Sequence, residues 1–243
     1  MNTLHVDERE DRVVVTLDRP AQRNAINAEM IDELHQVCGR LERDPKLLLL
    51  AGGRGDHFAG GADIAELRER GREEAFAGIN RTLFDRIGKL PLPTVAAVSG
   101  YALGGGGRVD LRLRHSHRDN DGGLRESGAQ SRHNGSRRRQ LSTAEARRVS
   151  IAKQVLLGAR NLDAEQALRA GLVVEVTEPN CHVDAAHRLL DRISRLSPLA
   201  LRLTKIIVDA PGSHPFADDI AQAVLFESSD KRDRMTAFLE KKS

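Results

Sequence analysis

Two glycine-rich turns contain the groups with the clearest chemical potential. They are FAGGADI at 58–64 and SGYALGGGG at 99–107, and each follows an apolar run and precedes a predicted helix. Such turns present backbone N–H groups at the start of a helix, where the helix dipole favours negative charge. Either turn alone is explained equally well by tight packing. Two of them facing each other could bind a developing oxyanion, and their order and spacing favour that function. No Gly-Lys-Ser/Thr follows, so neither is a phosphate-binding P-loop.

The elements around these turns follow an α/β pattern. Apolar runs at 12–17, 47–53 and 94–100 predict buried strands. An apolar stripe over 28–43, with Asn27 as the N-cap, predicts an amphipathic helix. One further helix is predicted to start at about residue 64, and others cover 75–89, 149–158, 163–171, 183–196, 198–209 and 216–227. For the helix over 163–171, Asp163 is the predicted N-cap and Gly171 the residue after its end. The alternation of strands and helices indicates a layered α/β fold.

Residues 108–148 depart from this order. The segment has eleven arginines, five acids and only eight apolar residues, without a sustained strand or helix period, so by itself it is typical of a basic, disordered chain. It carries a charge of +6, whereas the rest of the chain has 27 basic and 30 acidic residues. The overall charge of +3 therefore describes this segment and not a basic face spread over the fold.

Composition also limits the possible classes of protein. The length of 243 residues suits one α/β domain, and two cysteines cannot form a disulfide framework. The charged N-terminus and the lack of an apolar run near ~20 residues predict a cytoplasmic protein without a membrane span. No metal site is predicted, because no His, Asp or Cys cluster has ligand spacing. A nucleic-acid partner is not expected either, because the arginine-rich segment has no aromatic residue for base stacking.

Five short pieces of the chain together resemble one family. RPAQRNAIN, FAGGADI, PTVAAVSGYALGGG, LDAEQALRAGLV and MTAFLEKK occur in the order found in enoyl-CoA hydratase/isomerase (crotonase) proteins. The resemblance implies a spiral of ββα turns with a C-terminal helical region. Residues 1–190 would form the acyl-CoA-binding core and residues 191–243 a trimerisation region. The expected assembly is a homotrimer or a dimer of trimers.

The resemblance also implies roles for individual residues. The backbone N–H groups of Ala62 and Gly105 would form an oxyanion hole for a thioester oxygen. An acyl-CoA is the expected substrate, and because coenzyme A is part of it, no separate cofactor is predicted. The residues that match CoA-binding positions are Arg23, Asn24, Ala25, Ala59, Asp63, Ile64, Phe238 and Lys241.

The two acid/base positions differ from the family. Hydratases of this family carry one glutamate after the glycine run and a second twenty residues later, and here these positions are Arg108 and Gly128. Reading 108–148 one nucleotide out of frame restores both glutamates. The shifted codons allow E-L-x-x-A-C-D-I at the start and F-G-N-P-E-L-S-L-G-I across 124–133. Two compensating frame slips, near codons 107 and 148, would explain this pattern together with the arginine-rich composition.

Several functions remain open on these residues. The leading hypothesis is an enoyl-CoA hydratase that adds water to trans-2-enoyl-CoA. A crotonase-fold isomerase with another acid/base set is the nearest alternative. If Arg108 and Gly128 are as written, a non-catalytic acyl-CoA-binding relative follows instead. A nucleic-acid binder acting through the arginines would show steep salt dependence.

Overall fold

Two β-sheets with helices packed against them form the fold in the computed structural model. The structure describes residues 1–53, 57–103, 111–115, 124–125, 151, 153–155, 157–209 and 215–240. The larger sheet has six strands in the order β1-β2-β3-β5-β7-β9, and the smaller has three in the order β4-β6-β8. Their bounds are β1 Leu4–Glu8, β2 Arg12–Leu17, β3 Leu47–Gly52, β4 His57–Ala59, β5 Thr94–Val98, β6 Tyr101–Leu103, β7 Leu111–His115, β8 Leu124–Arg125 and β9 Glu175–Thr177.

The strands of the two sheets alternate along the chain. After the antiparallel pair β1 and β2, every pairing in both sheets is parallel. Along the chain, three strands of the large sheet are each followed by a strand of the small sheet: β3 by β4, β5 by β6 and β7 by β8. The chain therefore repeats one unit, in which a strand of the large sheet leads into a strand of the small sheet.

Nine helices with complete bounds are described. They are α1 Ala28–Arg43, α2 Ile64–Glu69, α3 Arg72–Ala77, α4 Ile79–Gly88, α5 Ala164–Arg169, α6 His182–Ile193, α7 Pro198–Asp209, α8 Phe216–Glu227 and α9 Ser229–Glu240. One core cluster packs α1 and α4 against alternate residues of β2 and β3. A second cluster packs α6 against the opposite face of β3 and β5. Both faces of the central strands are thus covered, as their continuous apolar runs predicted.

Predictions from local signals agree with several elements. Helix α1 begins after Asn27, whose side chain accepts a hydrogen bond from the Met30 backbone N–H, so both the helix and its cap are confirmed. Asp163 caps α5, and Gly171 has a φ of +69° just after that helix. The helix predicted over 75–89 is interrupted, because Gly78 adopts a φ of +60° and separates α3 from α4.

The arginine-rich segment contains regular structure that its composition did not predict. Residues 111–115 form β7, which pairs with β5 on one side and β9 on the other. Residues 124–125 form β8 beside β6. The expectation of a segment without strands was wrong for these residues, because pairing with strands distant in sequence can outweigh local composition.

Among the helices within the described ranges, none combines the length and apolar character needed to cross a bilayer.

Candidate functional site

A tight turn between β2 and α1 forms one side of the candidate site. A single 3-10 turn spans Pro20–Gln22, and Arg23 directly follows it. Arg23 and Asn24 both adopt left-handed backbone conformations, with φ of +53° and +54°. The Arg23 side chain is exposed, whereas Asn24 is only 1% exposed. The turn therefore sends one polar side chain to solvent and the next into the protein.

The first glycine-rich turn lies directly against this structure. The Gly60 N–H donates to the Arg23 carbonyl at 2.8 Å, and a Cβ at Gly60 would lie 2.9 Å from that oxygen. Glycine at this position therefore permits a close approach of two backbones. Ile26 continues the contact: its N–H donates to the Gly61 carbonyl at 2.8 Å, and its carbonyl accepts from Asp63 N–H at 3.0 Å.

These two bonds determine the direction of the Ala62 N–H. Successive groups in an extended segment point to opposite sides, and the Gly61 carbonyl and the Asp63 N–H both face Ile26. The Ala62 N–H therefore points away from Ile26. It donates no hydrogen bond to any described residue. A backbone donor oriented by its neighbours and not used by them is what an oxyanion hole requires.

Asp63 connects the turn to α2. Its side chain accepts from the Ala65 N–H at 3.1 Å and so caps this helix. Its other carboxylate oxygen pairs with the Arg19 guanidinium at 3.1 Å, and Arg19 also donates to the Ala25 carbonyl. The Arg19 hydrogen bond, partly opposed by desolvation, lowers the pKa of Asp63 below its usual value. The Asp63 carboxylate is therefore ionised, and both of its oxygens already bind protein groups.

The second glycine-rich run begins beside the first. Strand β6 pairs in parallel with β4, with Ala102 opposite Ala59. Parallel strands have their carboxyl ends at the same edge of a sheet. The carboxyl end of β6 at Leu103 therefore lies at the same edge as the carboxyl end of β4 at Ala59.

The predicted site residues fall into distinct groups. The hydrogen bonds between the two turns bring seven of them together, namely Arg23, Asn24, Ala25, Ala59, Ala62, Asp63 and Ile64. Of these, Ala59 is buried in the core cluster, and Ile64 is 80% exposed. Phe238 lies on α9 with its ring largely exposed. Four predicted positions lie outside the described residues: Gly105, Arg108, Gly128 and Lys241.

Arg19 and Ile26 were not predicted as parts of the site. Ile26 acts through its backbone, which carries no signal in the residue type. Arg19 directly precedes Pro20 at the start of the RPAQRNAIN motif, and its residue type alone does not indicate a partner. The signal that could have identified Arg19 is its position five residues before Asn24, whose side-chain oxygen accepts from the Arg19 N–H at 2.9 Å.

An open cavity of about 680 Å³ lies behind α2. Helices α1 to α4 line it with apolar, acidic and basic residues, which are Ala28, Ile31, Ala65 and Ile79, then Asp32, Glu66, Glu69 and Glu74, and finally Arg68 and Arg70. Ala62 and Asp63 are not part of its lining.

Comparisons with known proteins identify relatives of this chain in sequence and in fold. The sequence profile of the family described as Enoyl-CoA hydratase/isomerase matches residues 8–112. A short-chain-enoyl-CoA hydratase of Clostridium acetobutylicum is 34% identical over 256 residues, covering 97% of this chain and 94% of the relative. The structure of Pseudomonas aeruginosa DspI superposes with a TM-score of 0.82 at 25% identity, covering 99% of this chain and 95% of that one. An enoyl-CoA hydratase structure from Bacillus anthracis has the same fold, with a TM-score of 0.83 at 23% identity, covering 98% and 96% of the two chains.

The predicted α/β crotonase-like fold is thereby confirmed. The profile match and the near-complete alignment include both the turn that carries Arg23 and the turn that carries Ala62. From its sequence, its fold and the arrangement of these turns, the chain belongs to the enoyl-CoA hydratase/isomerase (crotonase) family.

Proposed function

We propose that this protein is an enoyl-CoA hydratase, which adds water reversibly across the 2,3 double bond of a trans-2-enoyl-CoA. The observation that carries the proposal is the Ala62 N–H, which the Ile26 bonds aim away from the neighbouring turn. The relative from Clostridium acetobutylicum is named as a short-chain-enoyl-CoA hydratase, which supports the same reaction class here.

The chemistry explains why a backbone donor is needed. Water attacks C3 through its oxygen and gives up one proton, while the electron pair of the double bond moves to C2 and onto the thioester oxygen. A proton added at C2 then restores the thioester. The intermediate enolate carries negative charge on that oxygen, so a fixed N–H at Ala62 stabilises it more than it stabilises the substrate. We propose Gly105 as the source of the second donor, from the run that follows β6.

The substrate would bind along the turn between β2 and α1. The exposed guanidinium of Arg23 can pair with the phosphates of CoA, and the half-buried Ala25 leaves space beside it. Ile64, exposed at the start of α2, offers an apolar surface for the adenine. Phe238 and Lys241 are proposed to contact CoA from the C-terminal region. CoA belongs to the substrate, so the proposed reaction uses no separate cofactor.

The acid/base pair depends on the segment 108–148. As written, Arg108 and Gly128 supply neither a base for water nor an acid for C2. The shifted reading frame places a glutamate at both codons. Two observations support that reading: the family profile stops matching at residue 112, and β7, written LRLRH, lies between two other strands of the sheet. Charged residues at alternate positions are unusual in such an internal strand.

A non-catalytic acyl-CoA-binding protein is the second candidate, and the written residues Arg108 and Gly128 favour it. Such a protein would bind CoA thioesters through the same turns without turnover. A crotonase-fold isomerase would instead need a different acid/base set near the same oxyanion hole.

Turnover of crotonyl-CoA separates these functions. Loss of the conjugated double bond lowers the ultraviolet absorbance, and we expect the purified wild-type protein to catalyse it. Ala62→Pro removes the N–H and should lower kcat by about 100-fold or more. The dissociation constant of free CoA, measured by calorimetry, serves as the control and should change little, because CoA has no thioester oxygen. CoA-thioester binding without turnover would contradict the hydratase and support the non-catalytic candidate.

A further inference from the structure

The Asn24 side chain is the polar group most completely enclosed between the two turns of the site. It is 1% exposed, and all of its strong hydrogen-bonding directions point into protein. Its Oδ1 accepts from the Arg19 N–H at 2.9 Å. Its Nδ2 donates to the carbonyls of His57 at 3.0 Å and Phe58 at 3.3 Å. Only this orientation of the amide matches an oxygen to a donor and a nitrogen to two acceptors.

These bonds join the two segments at one point. The Arg19 bond closes the turn on itself, and the two Nδ2 bonds fasten that turn to β4. The backbone bonds of Arg23 and Ile26 then continue along Gly60, Gly61 and Asp63. Asn24 thus lies at the start of a row of contacts that ends around Ala62. If its side chain were lost, the bonds that hold the turn to the His57 and Phe58 carbonyls would be lost, and the exit of β4 would be freer to shift.

The backbone of Asn24 adds a second requirement. Its φ of +54° lies in the left-handed region, which asparagine adopts at lower cost than most residues. An aspartate could keep the left-handed backbone and accept from the Arg19 N–H. It could not donate to the His57 and Phe58 carbonyls, and its charge would face two carbonyl oxygens. An alanine would lose all three bonds, at the cost of a hydrogen bond each.

We propose that Asn24 is a positioning residue for the oxyanion donor at Ala62 and that its side chain does not contact CoA. This inference rests on the proposed function, because it assigns Asn24 to the transition-state part of that site. The resemblance to the family had placed Asn24 among the CoA-binding residues. Its burial and its three bonds to protein atoms leave no side-chain group available to a ligand, and its own N–H donates to the Arg19 carbonyl at 2.9 Å.

Positioning of the Ala62 N–H and contact with CoA predict different changes in kinetics. A positioning residue acts on the transition state, so its loss lowers kcat and leaves binding of the CoA portion unchanged. A misplacement of about 1 Å in a catalytic group can cost about 100-fold in rate. We expect Asn24→Asp and Asn24→Ala each to lower kcat by about 10- to 100-fold. The KM for crotonyl-CoA and the dissociation constant of free CoA should stay within about threefold of the wild type.

A spectroscopic measurement isolates the oxyanion hole. A 3-oxoacyl-CoA such as acetoacetyl-CoA binds partly as its enolate, whose near-ultraviolet absorbance reports charge on the thioester oxygen. We expect this band in the wild type and a weaker band in both Asn24 variants at saturating ligand. Amide hydrogen exchange in peptides that cover 57–63 should be faster in both.

Asn27→Ala is the matched control. It removes a side-chain cap from α1, with a loss of stability of similar kind, and it leaves the bonds to 57–63 untouched. The control should keep kcat, the enolate band and the exchange rate of 57–63. A rise in the dissociation constant of CoA with kcat unchanged would overturn the proposal in favour of a CoA contact. A kcat equal to that of the wild type in Asn24→Asp would also overturn the proposal.

The wild-type protein tests the proposed function separately from Asn24. If the wild type forms the enolate band without hydrating crotonyl-CoA, the hydratase proposal fails, while the comparison of variants still tests Asn24. If the wild type shows no enolate band, Ala62 is not an oxyanion donor, and both proposals are overturned.

Discussion

At the scale of single residues, Gly60 shows how closely the site is assembled. Its N–H donates to the Arg23 carbonyl, and its hydrogen atoms occupy the space where a side chain would meet that oxygen at 2.9 Å. The partner is backbone, which cannot rotate away as a flexible side chain could. The turn that carries Arg23 can therefore lie this close only because residue 60 has no Cβ.

We expect Gly60→Ala to lower the kcat for crotonyl-CoA by at least about tenfold, because the turn must move away from Arg23 and displaces the Ala62 N–H. Its melting temperature should also fall. Gly39→Ala is a suitable control, since its Cβ would meet only the flexible Arg86 guanidinium at 3.4 Å and alanine favours helix α1. Steady-state kinetics and thermal unfolding of both variants check this. Wild-type kcat in Gly60→Ala would show that the turn tolerates the shift.

At the scale of elements, a buried arginine joins the large sheet to helix α6. Arg12, at the start of β2, is 5% exposed and pairs with Asp11 at 2.6 Å and Asp191 at 2.5 Å. It also donates to the His187 carbonyl at 3.3 Å and lies 3.2 Å from His187 Nδ1. Because Arg12 can only donate, this contact favours an unprotonated Nδ1 on His187. The cluster connects residues more than 170 positions apart.

This cluster predicts a pH dependence of stability. Burial, followed by the positive charges of Arg9 and Arg12, lowers the pKa of His187 below its ordinary 6.5, although Asp191 and Asp184 oppose the shift. Below pH 6.5 the unfolded chain therefore binds the proton more readily than the folded chain. The free energy of unfolding should decrease as the pH falls from 6.5 through the lower pKa of the folded state.

His187→Asn should flatten that pH dependence, because asparagine can accept from Arg12 but does not titrate. Urea unfolding of wild type and variant between about pH 5 and pH 8 measures the effect. The same slope in both proteins would assign the pH dependence to other groups. A wild type that becomes more stable on acidification would contradict the direction of the shift.

At the scale of the whole molecule, the C-terminal helices expose an apolar surface. Helix α8 carries a stripe of apolar residues spaced four positions apart, namely Phe216, Ile220 and Val224. All three are at least 44% exposed. Met235, Phe238 and Leu239 on α9 are also exposed. Several large apolar residues exposed on one helix face are typical of an interaction surface. It supports the proposal that residues 191–243 form the contact in a homotrimer or a dimer of trimers.

Sedimentation velocity should give a mass three or six times the 26.7 kDa of the chain. Ile220→Glu places a charge in the apolar stripe and should shift the population towards monomer. Gln222→Glu adds the same charge on the opposite side of α8, at an exposed position, and should not change the mass. A wild type that sediments as a monomer would contradict the proposed assembly.

A peptide-mass map across 107–149 tests the integrity of the chain itself. We expect peptides that match E-L-x-x-A-C-D-I and F-G-N-P-E-L, which would restore the two acid/base glutamates. Arginine-rich peptides matching the written residues would exclude the hydratase mechanism based on that pair. They would also leave the protein with a smaller apolar core, so its stability should then be low.

Sequence reasoning was sufficient for those features that local forces determine. Helix α1 and its Asn27 cap, the glycine after α5 and the buried runs of β2, β3 and β5 follow from periodicity, capping and backbone freedom within a few residues. The two glycine-rich turns were identified in the same way, and the ordered short motifs indicated the family. The short strands β4 and β6 lie inside those turns and were not predicted, because three residues carry too little pattern.

Only the tertiary structure determined which groups face each other. Arg23 and Asn24 are adjacent, polar and similar in backbone conformation, yet one is exposed and the other is buried against carbonyls 33 and 34 residues away. Likewise, the free direction of the Ala62 N–H follows from its neighbours' bonds to Ile26, and residue type contains no information about it. A side chain's role depends on which distant backbone groups need a partner, and chain folding brings those groups into place.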